Sequence, residues 1–81
     1  MNYRYEAPLT LRRMIMLPHQ QRVIDEKADL DDKLSKLKAF THHSPMFGTL
    51  VLEEQERLLR QYSYMTMYSK VLGERIAAFT K

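Results

Sequence analysis

Between Leu52 and Phe79 the chain carries no proline, and Leu58, Tyr62, Met65, Ser69, Leu72, Ile76 and Phe79 step by four, three, four, three, four and three residues. That rhythm is the period of a helix with one face turned to a core. Within it, QYSYMTMYSK at 61–70 comes close to alternating every second residue, as a strand would. The four-three pattern nevertheless runs for 22 residues from Leu58 to Phe79, against about 5–6 for an ordinary strand. The segment is therefore read as one long helix and the alternation as a coincidence of composition. Glu53, Glu54 and Glu56 sit early in it, where the amino-terminal dipole favours acids.

A second helix precedes it. From Pro18 to Phe40 no glycine or further proline intervenes, and Val23, Leu30, Leu34, Leu37 and Phe40 recur at helical spacing beside Ile24 and Ala28. Proline suits a first helical turn, and Lys36, Lys38, His42 and His43 lie around the carboxyl end, where the dipole favours cations. Pro45 and Gly48 in THHSPMFGT then break the pattern, with Met46 and Phe47 expected to fold back over the end of the bundle. Two long helices on a short loop make an antiparallel hairpin, so the fold is expected to be all-α. Residues 17–81 are read as this hairpin domain and residues 1–16, MNYRYEAPLTLRRMIM, as an N-terminal arm or short helix.

A hairpin in an 81-residue chain buries little apolar surface. With no cysteine, disulfides and thiolate metal sites are excluded. Leu59, Tyr64, Met67 and Val71 project away from the core stripe of the second helix, which predicts contacts between protomers of a homo-oligomeric bundle. The net charge of +3, from 13 basic and 10 acidic residues, is scattered. It assists binding of an anionic ligand without forming the basic stripe of a duplex-DNA binder. The apolar run MIML is far short of the roughly 20 residues of a membrane span and too short for a secretory signal, so no membrane partner is expected.

Enzyme signatures are scarce. His42 and His43 are adjacent and therefore point apart, with no third ligand at metal spacing. Asp25, Glu26, Asp29, Asp31 and Asp32 are interleaved with Lys27, Lys33 and Lys36, as on a solvated helix face. No glycine-rich phosphate loop or nucleophile elbow is present. Two features are more specific. Lys27 lies between Val23 and Leu30 at one edge of the apolar stripe, with Lys33 expected at the other; either their stems snorkel to water or they hold a phosphate at a protomer boundary. Arg57, Gln61, Tyr64, Tyr68 and Arg75 form a column of cations, an amide and flat rings beside the second core stripe. Such a column stacks on bases and grips phosphate, or packs in an oligomer interface.

The second helix reads LLRQYSYMTMYSKVLGERI, with LL-x-Q-x(3)-M-x(2)-Y-x(3)-L-x(2)-RI in order. Phe40, Ser44-Pro45, Phe47 and residues 53–55 precede it, after Gln21-Arg22-Val23, Glu26 and the Leu30, Lys33, Leu37 run. Over roughly Pro18 to Phe79 this resembles the small helical-hairpin domain of bacteriophage anti-defence proteins, a family that includes the anti-CBASS type-two sponge and the hairpin of the first Thoeris anti-defence protein. The resemblance implies a non-enzymatic sponge, a compact homohexamer in the cytoplasm of the infected bacterium. It would sequester cyclic dinucleotides such as cyclic GMP-AMP between paired protomers, and cyclic trinucleotides in separate pockets near a threefold axis. No cofactor and no metal are expected.

By the same resemblance, the dinucleotide pocket takes a lysine of the first long helix, matched best by Lys33 and next by Lys27. It also takes an aromatic of the N-terminal segment. His19 stands near that place, with Tyr3 or Tyr5 as alternatives if the tail folds over. The trinucleotide pocket takes an arginine late in the second helix, matched by Arg75, with Tyr68 in the column leading to it. The N-terminal extension and a histidine-rich loop one residue longer than usual depart from the family pattern. The other reading of the chain is a small helical oligomeric adaptor that binds a host or phage protein through its apolar faces.

Overall fold

A computed structural model describes residues 16–79. Helix α1 runs Pro18–His43 and helix α2 Leu52–Ala78, each about 40 Å long. A single 3-10 turn, Phe47–Thr49, lies between them. Among the described residues there is no strand, and the fold is the antiparallel two-helix hairpin expected from the spacing. The N-terminal arm lies outside the described residues.

The helix ends follow local chemistry. Pro18 occupies the first turn of α1, where its missing N–H costs nothing, and the Gln20 side chain reaches back to accept a hydrogen bond from the Leu17 N–H at 3.2 Å. Helix α1 stops where the Ser44 N–H closes onto the Phe40 carbonyl at 3.3 Å and Pro45 follows, a residue that disfavours helical geometry in the one before it. The loop is then tied to α2: Gln55 Nε2 donates to the Leu50 carbonyl at 2.8 Å, and Thr49 Oγ1 to the Met46 carbonyl at 2.6 Å. Phe47 packs edge-on against Phe40, with ring centroids 6.1 Å apart and planes at 87°. Phe47 thus covers the end of the hairpin. Met46 does not; it is exposed, because its backbone closes the turn that aims Phe47 inward.

The core is narrow. Val23, Leu30 and Leu72 are its buried apolar residues, with Met65, Ile76 and Phe79 packed against them. Leu34, Leu37 and Phe40 of α1 and Leu58 and Tyr62 of α2 continue the seam toward the loop, half-buried. The stripe stepping from Leu58 to Phe79 is thus the buried face of α2, and QYSYMTMYSK is helix throughout. Ala28, read as lying beside the stripe of α1, is exposed. Leu59, Tyr64, Met67 and Val71 stand on the outer side of α2, exposed like Val51 and Leu52 at its start.

Candidate functional site

The two flanks of the seam differ in chemistry. On one, Lys27 Nζ donates to Asp31 Oδ2 at 2.7 Å and to Ser69 Oγ at 3.1 Å, while the Ser69 hydroxyl donates to the other carboxylate oxygen of Asp31. Ser69 is buried, so this triangle satisfies a hydroxyl that the apolar rhythm places in the core. Gly73 makes room for it: a Cβ there would stand 3.3 Å from Lys27 Cε. The Lys27 stem therefore passes close over the α2 backbone, and its ammonium is committed to holding the two helices in register. Beside it runs an open groove of about 560 Å³ with an apolar floor of Met16, Ile24, Ala28 and Ile76.

Hydrogen bonds from Lys27 and Ser69 hold the Asp31 carboxyl below its ordinary value of 3.8. A lowered folded-state value means that ionised Asp31 stabilises the fold above the unfolded value, and that this support vanishes as pH falls through the folded one. In thermal melts from neutral pH to below 3.8, the advantage of wild type over Asp31→Asn is expected to be largest at neutral pH and to shrink on acidification. A gap independent of pH would mean that the triangle does not depend on the Asp31 charge.

On the other flank, His19, Arg22, Asp25, Glu26 and Asp29 of α1 face Arg75 of α2 across a groove of about 580 Å³. Positions 19, 22, 26 and 29 recur at helical spacing one step from the core stripe. Every carboxylate here is engaged: Asp25 accepts from Gln21 Nε2 at 2.9 Å, Asp29 pairs with Lys33 Nζ at 3.0 Å, and Glu26 accepts from the Tyr68 hydroxyl. His19, Arg22 and Arg75, in contrast, make no hydrogen bond or ion pair with the described residues. Glu26 raises the pKa of the Tyr68 phenol above its ordinary value of 10.0, against the opposing charge of Arg75. Tyr68 is thus a neutral, half-exposed phenol bonded to Glu26, one of the residues that line the groove.

A family model described as Sequestin matches residues 17–78, which spans both helices and their loop. The chain belongs to the Sequestin family. It is also 41% identical over 64 residues to an "uncharacterized 7.5 kDa protein in denB-rIIB intergenic region" of Enterobacteria phage T4, covering 79% of this chain and 98% of the phage protein. No solved structure matches.

Of the residues singled out from sequence, this Sequestin hairpin brings His19 and Arg75 to one groove, with Tyr68 bonded to Glu26 of its lining. Lys27 lies on the opposite flank, held by Asp31 and Ser69. Lys33 is not at the edge of the apolar stripe, as the spacing predicted: its side chain is 65% exposed and reaches the groove only as the partner of Asp29. The stripe passes through Leu30 and Leu34, and position 33 lies about 100° of arc before Leu34, on the solvent side. Tyr5 and Tyr3 lie outside the described residues. The column on α2 divides as well. Arg57 pairs with Glu54 at 2.9 Å and Tyr64 faces outward, while Arg75 lines the groove and Tyr68 reaches it through its bond to Glu26. Arg22 and Glu26 were not singled out as ligand-binding residues. The signal that finds them is their spacing with His19 and Asp29, which needs the position of α2 to become a site.

Among the described residues, no cluster of three or more His, Asp or Glu has the arrangement of a metal site, and no helix is long and apolar enough to cross a membrane.

Proposed function

We propose that the chain is a phage anti-defence sponge that binds cyclic oligonucleotide immune signals and holds them without degrading them. The observation that carries this reading is the groove in which the carboxylates already have partners while Arg22, Arg75 and His19 have none among the described residues. Guanidinium groups grip phosphate through paired N–H donors, and Tyr68 offers a ring for a base. The groove, at about 580 Å³, lies within the usual size of a small-molecule site, roughly 300–1,000 Å³. The name of the Sequestin family points to sequestering, and the T4 relative to a phage setting. Sequestration requires tight binding and no turnover, and it would act in the cytoplasm of the infected host, where such signals are made.

Assembly is part of the proposal. Leu59, Tyr64, Met67 and Val71 form an exposed apolar face suited to packing hairpins into a homo-oligomer, a hexamer by resemblance, with ligands between protomers. The same face supports a second reading, an adaptor that docks on a host or phage protein.

The test is a thermal-shift panel of cyclic di- and trinucleotides, with the ligand recovered and checked for integrity. A bound ligand at 100 times its dissociation constant is expected to add about 2.7 kcal/mol of stability. No shift with any member would overturn the sponge reading, and recovery of a linearised product would replace it with an enzyme.

A further inference from the structure

Helix α1 sets a Lys or Arg four residues from a carboxylate at four places, and three of them close. Lys27 pairs with Asp31 at 2.7 Å, Lys33 with Asp29 at 3.0 Å and Lys36 with Asp32 at 3.0 Å. Arg22 and Glu26 have the same spacing, which makes them neighbours on one helix face. No ion pair joins them. Order along the chain does not explain the exception, since Lys27 also precedes its carboxylate and closes on it.

What distinguishes Glu26 is a partner on the other helix. Its carboxylate accepts from the Tyr68 hydroxyl, which reaches across the seam from α2. A hydrogen bond to an ionised carboxylate stabilises more than an exposed ion pair does, so the hydroxyl prevails over Arg22. Tyr68 stands outside the lining of the groove, whereas Arg22, Glu26 and Arg75 are part of it. The phenol therefore acts on the groove from behind, through the carboxylate it holds.

The consequence falls on Arg22. A carboxylate free to turn would close the fourth pair, and an incoming phosphate would have to break that pair before meeting the guanidinium. Resting on the sponge reading for its ligand, we propose that Tyr68 is a positioning residue of the groove: its hydroxyl holds Glu26 off Arg22, which leaves the guanidinium open to the phosphate of a cyclic nucleotide. Removing the hydroxyl while keeping the ring then turns Glu26 into a competitor of the ligand. The loss is carried by the released carboxylate, so it disappears when that carboxylate is replaced by an amide.

The experiment has a ligand-free arm and a binding arm, both on the full chain at low salt, where exposed charges are screened least. In the first, the Arg22 Nε–Hε signal is followed by NMR. Tyr68→Phe is expected to shift it to an ion-paired position, and Tyr68→Phe combined with Glu26→Gln to bring it back. In the second, cyclic GMP-AMP is titrated calorimetrically. Tyr68→Phe is expected to weaken binding roughly two- to fivefold, the cost of breaking a surface ion pair, and to cost nothing when added to Glu26→Gln. An Arg22 signal that does not move in Tyr68→Phe would overturn the positioning role, as would a loss of affinity that persists beside Glu26→Gln. Failure of every cyclic nucleotide to bind wild type would bring down the sponge reading, and the Arg22 signal would still decide whether Tyr68 holds Glu26 off the arginine.

Discussion

Leu72→Ala is expected to cost about 2–5 kcal/mol, the range for emptying a leucine site in a packed core. Leu72 is fully enclosed at 0% exposure, between Val23 and Leu30 of α1 and Met65, Ile76 and Phe79 of its own helix and carboxyl end. Among the described residues the seam has no other fully buried side chain, so none of them forms a second layer to collapse into the space. Small domains hold roughly 0.05–0.15 kcal/mol per residue, and one truncation of this size removes a large share of the total. Urea unfolding followed by circular dichroism is expected to show a lower midpoint with little change in slope. Leu59→Ala is the informative partner. Leu59 is exposed on the single hairpin, and its truncation in an isolated hairpin should stay within about 0.5 kcal/mol. A cost at Leu59 comparable to that at Leu72, with a midpoint that rises with protein concentration, would mark the outer face of α2 as a buried protomer interface. A negligible loss at Leu72 would mean that the seam is not what holds the protein together.

Arg22→Glu combined with Arg75→Glu is expected to abolish nucleotide binding while leaving the helices intact. Both guanidiniums lie in the groove and neither has a partner among the described residues, so no ion pair is broken by replacing them. Each charge-assisted hydrogen bond to phosphate is worth about 1.5–3 kcal/mol. Losing two costs about 3–6 kcal/mol, or roughly a hundred- to ten-thousandfold in affinity by the same measure. The introduced carboxylates add repulsion beside Asp25, Glu26 and Asp29. The measurement is equilibrium titration of a cyclic dinucleotide, with anti-defence activity scored in parallel. Met67→Asp separates the two readings of function, since Met67 is 62% exposed on the outer face of α2 and distant in chemistry from the groove. If the double arginine variant keeps its activity and Met67→Asp loses it, the adaptor reading replaces the sponge.

Much of the hairpin was legible before the structure. Pro18 and Pro45 bracket α1, and the step pattern from Leu58 to Phe79 marks the buried face of α2 residue by residue, because helical periodicity is a local property. The same locality explains the errors. Lys33 and Ala28 were placed near the stripe by spacing alone. Which residues at the stripe's margin are covered depends on the second helix, and α2 covers Lys27 while leaving both of these exposed. The column on α2 was correct as a helix face, yet only its carboxyl half, Tyr68 and Arg75, meets α1 at the groove.

The order of residues by itself determined two helices, the side of each that is apolar, and the apolar residues on the outer face of α2. Pairings across the seam belong to the tertiary structure. Lys27 closes with Asp31 and Ser69, 42 residues apart in the case of Lys27 and Ser69, over the space left by Gly73. On the opposite flank Tyr68 meets Glu26 and Arg75 joins Arg22 and His19. Two lysines of the same type on one helix thus have different lives, one locked in the seam and one on the rim. Periodicity states where a side chain leaves its own helix, and only the docking of the second helix decides what it finds there.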